Sequence, residues 1–320
     1  MKNKKNKITF LLTIILSLVL VLTGCGQSNK KALTKYYDQK VSRKQYTTNF
    51  EIKFEQFDLP NSAETDETVA TALQILRGVN IKGKGDVVDQ DNKINVTMNL
   101  AGRSLPYVLI LKDNKIYADF SSLLKFVNND AIVDKNKLEG KYVDMNSLIK
   151  FIDENQTASS NVNLKKEYGE LLKIISSSKI ATAQFKAVKD TIDQLPEKKI
   201  TKKDGVITAT LDKKDLLYYY KDYSKELKTA LGYDSSFDKA LKSDAEKISN
   251  ANGSFNYTIN FNQKKSSFNN YLVVKPKEGG KIKLNIRLTD SDFNGEIKKP
   301  AANSILATKD IVQIITNLMK

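Results

Sequence analysis

The sequence predicts an α+β fold: curved antiparallel sheets, half-barrel like, with helices covering one face, in two similar halves. Three observations predict it. Apolar residues recur at every second position in run after run, as in Ile94, Val96, Met98 and Leu100. Such alternation gives a strand one apolar face and one wet face, which suits an antiparallel meander and not a parallel sheet buried on both sides. Turn dipeptides join the runs, Asp113-Asn114 between Tyr107–Lys112 and Lys115–Phe120, and Asp204-Gly205 between Lys199–Lys203 and Val206–Leu211. Stretches with helical spacing accompany the strands in each half, which is an α+β plan.

The first twenty-six residues form a separate signal. Met1–Lys7 holds four lysines, Ile8–Leu22 is almost wholly apolar, and Leu22-Thr23-Gly24-Cys25 follows. A basic head, a short apolar core and small residues before a cut define a secretory signal. The apolar run is shorter than the roughly 20 residues of a spanning helix. The Leu22–Cys25 string resembles the lipobox of bacterial lipoproteins. That resemblance implies cleavage after Gly24 and a diacylglyceryl group on the Sγ of Cys25, the only cysteine of the chain. It also implies an extracytoplasmic location on the outer face of the cell membrane, with the membrane itself as a partner. Two acyl chains hold a soluble domain far more firmly than one. The expected organisation is a signal peptide over 1–24, a lipidated tether over 25–31, an N-terminal half over 32–195 and a C-terminal half over 196–320.

Taken in order, Ala32–Arg43 has helical spacing, with Leu33, Tyr36, Tyr37 and Val41 near one face. Tyr46–Leu59 changes to period two through Phe50, Ile52 and Phe54, with Phe57 breaking strict alternation. Val69–Leu76 reads as a short helix after a polar break. Val79–Val88 reads as a strand in which Gly83 and Gly85 suggest close packing or strong bending. Two matching junctions come next, Tyr117-Ala118-Asp119-Phe120 and Tyr142-Val143-Asp144-Met145, each followed by polar-Ser-Leu-apolar-Lys-Phe-apolar. Each is a strand end feeding an amphipathic helix, where Asp, Ser or Asn can cap free amides. A repeated structural solution accounts for both.

Asn163–Ser177 is helical by spacing. Thr182–Leu195 reads either as one helix or as a strand and a helix. In the second half, Asp212 or Asp215 starts a helix carrying Leu216, Tyr219, Tyr220, Tyr223 and Leu227. A helix over Ser235–Ser249 and strands over Gly253–Phe261, Ser267–Lys275 and Lys281–Leu288 follow, and Thr308–Leu318 reads as a closing helix.

This order of elements, with the Tyr117–Phe120 and Tyr142–Met145 junctions, resembles the half-barrel lipoprotein carriers of the LolA, LolB and mycobacterial LppX-like groups, and surface lipoproteins of low-GC Gram-positive bacteria. The resemblance spans Tyr46–Lys320. It implies a fold that holds acyl chains between sheet and helices, and it assigns no ligand-binding residue to a numbered position.

Composition narrows the chemistry. The chain has no histidine and no tryptophan. Without histidine it lacks the commonest proton shuttle and metal ligand, and both His–Cys zinc sites and Ser–His–Asp catalysis fall away. No Gly-x-Ser-x-Gly elbow or Gly-rich phosphate loop is present. A Ser–Lys dyad or paired carboxylates stay open, their residues being too common to single out, and the expectation is a non-enzymatic protein with no cofactor. Asp290, Asp292 and Asn294, before Gly295, have the spacing of the first half of a calcium loop, but Ala301 stands where the bidentate glutamate belongs, and Asp, Asn and Gly also make turns.

The formal charge is +15, and removing the four signal lysines leaves +11. Outside the cell that charge suits anionic headgroups or anionic envelope polymers better than nucleic acid, and a solvated lysine surface is a simpler account of it than a dedicated anion site. Two functions remain open: a lipoprotein binding a lipid or other amphipathic ligand between sheet and helices, and an envelope interaction module with a filled core that binds a wall polymer or protein partner.

Overall fold

The computed structural model describes residues 29–58, 78–100, 102–119, 138–155, 178–232, 236–250, 253–277, 279–311 and 313. The helices expected at Val69–Leu76, after Phe120 and at Asn163–Ser177 lie outside the described residues, as does most of Thr308–Leu318.

Eleven strands are present among the described residues: β1 (Gln45–Asp58), β2 (Asn80–Val88), β3 (Asp91–Leu100), β4 (Arg103–Lys112), β5 (Lys115–Asp119), β6 (Tyr142–Asp144), β7 (Ile200–Lys203), β8 (Val206–Asp212), β9 (Gly253–Asn262), β10 (Ser267–Pro276) and β11 (Lys281–Ser291). Their order is β6-β5-β4-β3-β2-β1-β11-β10-β9-β8-β7. Among the described residues the sheet is antiparallel and curved, ends at β6 and β7 without closing into a barrel, and carries helices mainly on one face. The main helices are α1 (Asn29–Ser42), α2 (Met145–Asn155), α3 (Ser178–Gln194), α4 (Lys213–Leu231) and α5 (Ser236–Asn250).

Two compact units result. The first gathers the described parts of Met1–Arg43, Asn49–Asn80 and Ser178–Ser291; the second those of Lys44–Thr48, Ile81–Ser177 and Asp292–Lys320. The division therefore does not fall at one point near Pro196. The reason is packing: α3 precedes that point but lies against α4 and α1. The helix also starts earlier than expected. Asn29–Lys31, assigned above to the tether, form the first turn of α1, whose Lys30 Nζ donates to the Leu195 carbonyl at 2.8 Å.

In the first unit, register stacks the inward residues of β8 to β11 in rows. Ile207 faces Phe261, Phe261 faces Phe268, and Phe268 faces Leu288. Leu211, Tyr257, Leu272 and Leu284 make a parallel row, and all eight side chains are buried. Helix α1 lays Tyr36 against Phe261 and Phe268, with ring centroids 6.3 and 6.2 Å away. Helix α4 starts where the sequence placed it. Asp212 caps it, accepting from the Lys214 and Asp215 amides at 2.9 and 3.2 Å, while Asp215 accepts from the Asp212 amide at 2.8 Å. This reciprocal box satisfies amides that a helix start otherwise leaves without partners.

In the second unit, β4 and β5 join through Asp113 and Asn114, both left-handed with φ of 53° and 58°. The two repeated junctions lie side by side: Tyr117 pairs with Asp144, Ala118 with Val143 and Asp119 with Tyr142. Asp144 caps α2 through the Asn146 and Ser147 amides at 3.0 and 3.2 Å. Gly85 is not forced by crowding, because an added Cβ would meet nothing closer than the Thr48 carbonyl oxygen at 3.9 Å.

Candidate functional site

A ligand held between sheet and helices needs room there. In the first unit, α3 and α4 press on β8 and β9 through Val188, Ile192, Leu216 and Tyr219 against Leu211 and Tyr257, and the cavity among them measures about 10 Å³. That is the space of about one water molecule, whereas ligand pockets run to roughly 300 Å³ or more. Aromatic pairs add to the packing of this unit. Tyr219 stacks on Tyr223 at 5.9 Å and meets Tyr220 edge-on at 5.5 Å, and Phe261 stacks on Phe268 at 4.6 Å. Burial pushes the phenols of Tyr219 and Tyr257 far above their ordinary range, so both stay neutral at any physiological pH and act as packing groups.

The second unit offers a different surface. Pairing of β3 with β4 places Ile94 opposite Leu109, Val96 opposite Tyr107 and Met98 opposite Leu105. Alternation puts these six on one face. Five are half-buried and Met98 is exposed. Burial raises the Tyr107 phenol, with the Asp119 charge adding to the effect. The opposite face carries Ile110 and Tyr117 and is covered by Phe293, Ile297 and Ile305 of the segment after β11.

Cys25 lies outside the described residues. Asp290 is buried at the end of β11, whereas Asp292 and Asn294 are exposed in the segment that follows. Burial pushes the Asp290 carboxyl up to about 8, which opposes its use as an anionic ligand. Among the described residues, no group of three or more His, Cys, Asp or Glu side chains is placed to hold a metal ion, and no helix is long and apolar enough to cross a membrane.

No protein-family model matches the chain, and no curated protein matches it. Its chemistry rests on its own residues.

A polar cluster lies on the face of β8 to β11 opposite the apolar rows. Side chains there join in a ladder, with Asn285 buried and Thr208, Asn260 and Asn269 half-buried. Thr208 donates to Asn260 Oδ1 at 2.9 Å, Asn260 donates to the Asn269 carbonyl at 2.8 Å, and Asn285 donates to Asn269 Oδ1 at 2.7 Å. Asn269 in turn donates to the Tyr271 hydroxyl at 3.0 Å. Lys283 sits 4.5 Å from the Tyr271 ring centroid and 2.7 Å from Glu55, and Arg287 pairs with Glu51 at 3.4 Å. The signal was present in Asn256, Thr258, Asn260 and Asn262, which alternate along β9. Its amides and charges largely satisfy one another, so the ladder rigidifies the sheet.

Proposed function

We propose that this chain is a lipid-anchored envelope lipoprotein, non-enzymatic, that works through its outer surfaces as an interaction module. Acyl chains on Cys25 hold it at the outer face of the cell membrane, and a wall polymer or an envelope protein is its partner. The observation that carries this reading is the close packing of α3 and α4 on β8 and β9 in the first unit, where the space among Val188, Ile192, Leu211 and Tyr257 is about 10 Å³. An acyl chain does not fit in such a space.

A second reading keeps the lipid as ligand. It rests on the half-buried apolar face of β3 and β4, and on the likeness of an open antiparallel sheet with helices on one face to the LolA, LolB and LppX-like carriers. In this reading the second unit alone holds the ligand.

Native mass spectrometry of the gently extracted, acylated protein separates the two. The interaction-module reading expects one mass, that of the chain with its own acyl groups, and co-sedimentation with purified cell-wall polymer. A further mass of one non-covalent lipid per chain, lost on replacing Val96 and Leu109 with Asp, overturns it in favour of the second reading.

A further inference from the structure

Three features of the first unit converge at one end of its sheet. Antiparallel pairing of Val206 with Asn262 sets the β7–β8 turn beside the β9–β10 turn, and Lys202 reaches Gln263 across them at 2.9 Å. The two turns carry Lys202, Lys203, Lys264 and Lys265, all exposed, with Asp204 as the one acidic residue among 202–206 and 262–266. Helix α1 lies over the same end, because Tyr36 packs on Phe261 and Phe268, the last inward side chains before the β9–β10 turn. Its outer side adds Lys31 and Lys35, both exposed.

The third feature is the length of the connection to the lipid. Helix α1 is firmly seated, with Leu33, Tyr36 and Tyr37 buried and Lys30 tied to the Leu195 carbonyl. Three residues separate Asn29 from Cys25, and the four steps from one to the other span at most about 14 Å. Along α1, Tyr36, seated on Phe261 and Phe268, stands seven residues, about 10 Å, from Asn29. The acylated cysteine and the lysine-bearing turns therefore stand within one short reach of the same part of the unit.

We infer that this end of the first unit lies against the bilayer, and that Lys202, Lys203, Lys264 and Lys265 contact anionic lipid headgroups. The inference rests on the lipoprotein reading of Cys25. The physical logic is additive. The acyl chains hold the protein at the surface but leave it free to tumble on its tether, whereas lysines near an anionic leaflet each gain attraction within about one Debye length of it. A lysine cluster at the tethered end turns an anchored domain into an oriented one.

The opposite end supplies the control. Lys275 and Lys277 lie there at the end of β10, leading into the β10–β11 turn, and are also exposed. The acylated full-length chain is placed in phosphatidylglycerol vesicles after Lys203→Cys, Lys264→Cys or Lys277→Cys, each labelled with a fluorophore and checked for an unchanged melting temperature. Nitroxide on the headgroups is then the quencher. Quenching at 203 and 264 should exceed that at 277 at least about threefold and fall toward it as salt is raised, while the chain stays on the vesicles. Equal quenching at all three positions, or stronger quenching at 277, overturns the orientation and leaves the anchor standing. Unchanged quenching in neutral phosphatidylcholine vesicles overturns the headgroup contact. Loss of the chain from the vesicles at high salt overturns the anchor and the inference with it.

Discussion

Gly253 approaches the backbone of Lys275 so closely that a Cβ at Gly253 would stand 2.3 Å from the Lys275 carbonyl oxygen. Its φ of 139° is also one that L side chains rarely adopt. Crowding by backbone cannot be relieved by turning a side chain. Gly253→Ala should therefore destabilise the protein by about 2 kcal/mol or more, the sum of strain and displacement. Gly85→Ala is the comparison, since its new Cβ makes ordinary contact, and it should stay within about 0.5 kcal/mol of the parent. Urea titration of both variants reads the difference, and equal losses contradict the argument.

The start of α4 gives a second test. Asp212 caps the helix while Lys199 pairs with it at 2.6 Å and also pairs with Asp215. The Lys199 hydrogen bond, opposed by partial burial, holds the Asp212 carboxyl below its ordinary value. A carboxyl depressed in the folded state contributes stability that is present above its unfolded pKa of about 3.9 and lost as pH falls through the folded value. Asp212→Ala should cost about 1 kcal/mol near neutral pH, and the cost should shrink below about pH 4. Thermal melts over that range decide it, and a loss independent of acid would place the effect elsewhere.

Asp290 runs in the opposite direction. Burial lifts its carboxyl to about 8 in the folded state, against about 3.9 unfolded. Between those values the folded chain holds a proton that the unfolded chain has released. Stability should then fall as pH rises from about 4 to about 8, and be unaffected by this group below about 4. Asp290→Asn should flatten that slope and make the protein relatively more stable at pH 8 than at pH 5. An unchanged slope in the variant would mean that the carboxyl titrates near its ordinary value.

Much of the fold was legible because local chemistry and global register agree. Asp113-Asn114 and Asp204-Gly205 adopt the positive φ angles that a two-residue hairpin turn requires, and Asp212 caps its helix through groups two and three residues away. The repeated junctions were visible as a pattern, but their meeting as partners across β5 and β6 is a tertiary fact that neither copy contains. The assignment of α3 to the unit built from later strands, and the ion pairs of Lys283 with Glu55 and Arg287 with Glu51, join residues far apart in sequence, where period and turn chemistry carry no information. Thr182–Leu195 was ambiguous because apolar residues recur in it at both spacings; packing on α1 and α4 makes it one helix. Asp290 read as a turn residue or a calcium ligand from its neighbours, yet strand alternation sends it inward with Leu288 and Ile286. The interior of the first unit was the least legible feature. Alternating strands and amphipathic helices describe a filled core and a lined groove equally well, and side-chain volume alone distinguishes them.

That distinction can be turned into an energy. Ile192 is fully buried and lines the small space between α3 and the sheet. If that region is a packed core, Ile192→Ala removes three carbons from close contact and leaves a void, which costs about 2 to 5 kcal/mol. If it is instead the wall of a groove that opens for an acyl chain, the wall already tolerates empty space, and the same change costs about 1 kcal/mol or less, the transfer of the lost methylenes being partly offset by a better fit for ligand. The packed-core reading further expects Leu227→Ala, on α4 and equally buried, to fall in the same range as Ile192→Ala. Denaturant midpoints measured on delipidated protein and again with added phospholipid decide between them. A large loss that phospholipid does not restore fits a core filled by its own side chains; a small loss, or one that lipid reverses, means the space between helix and sheet is a binding site.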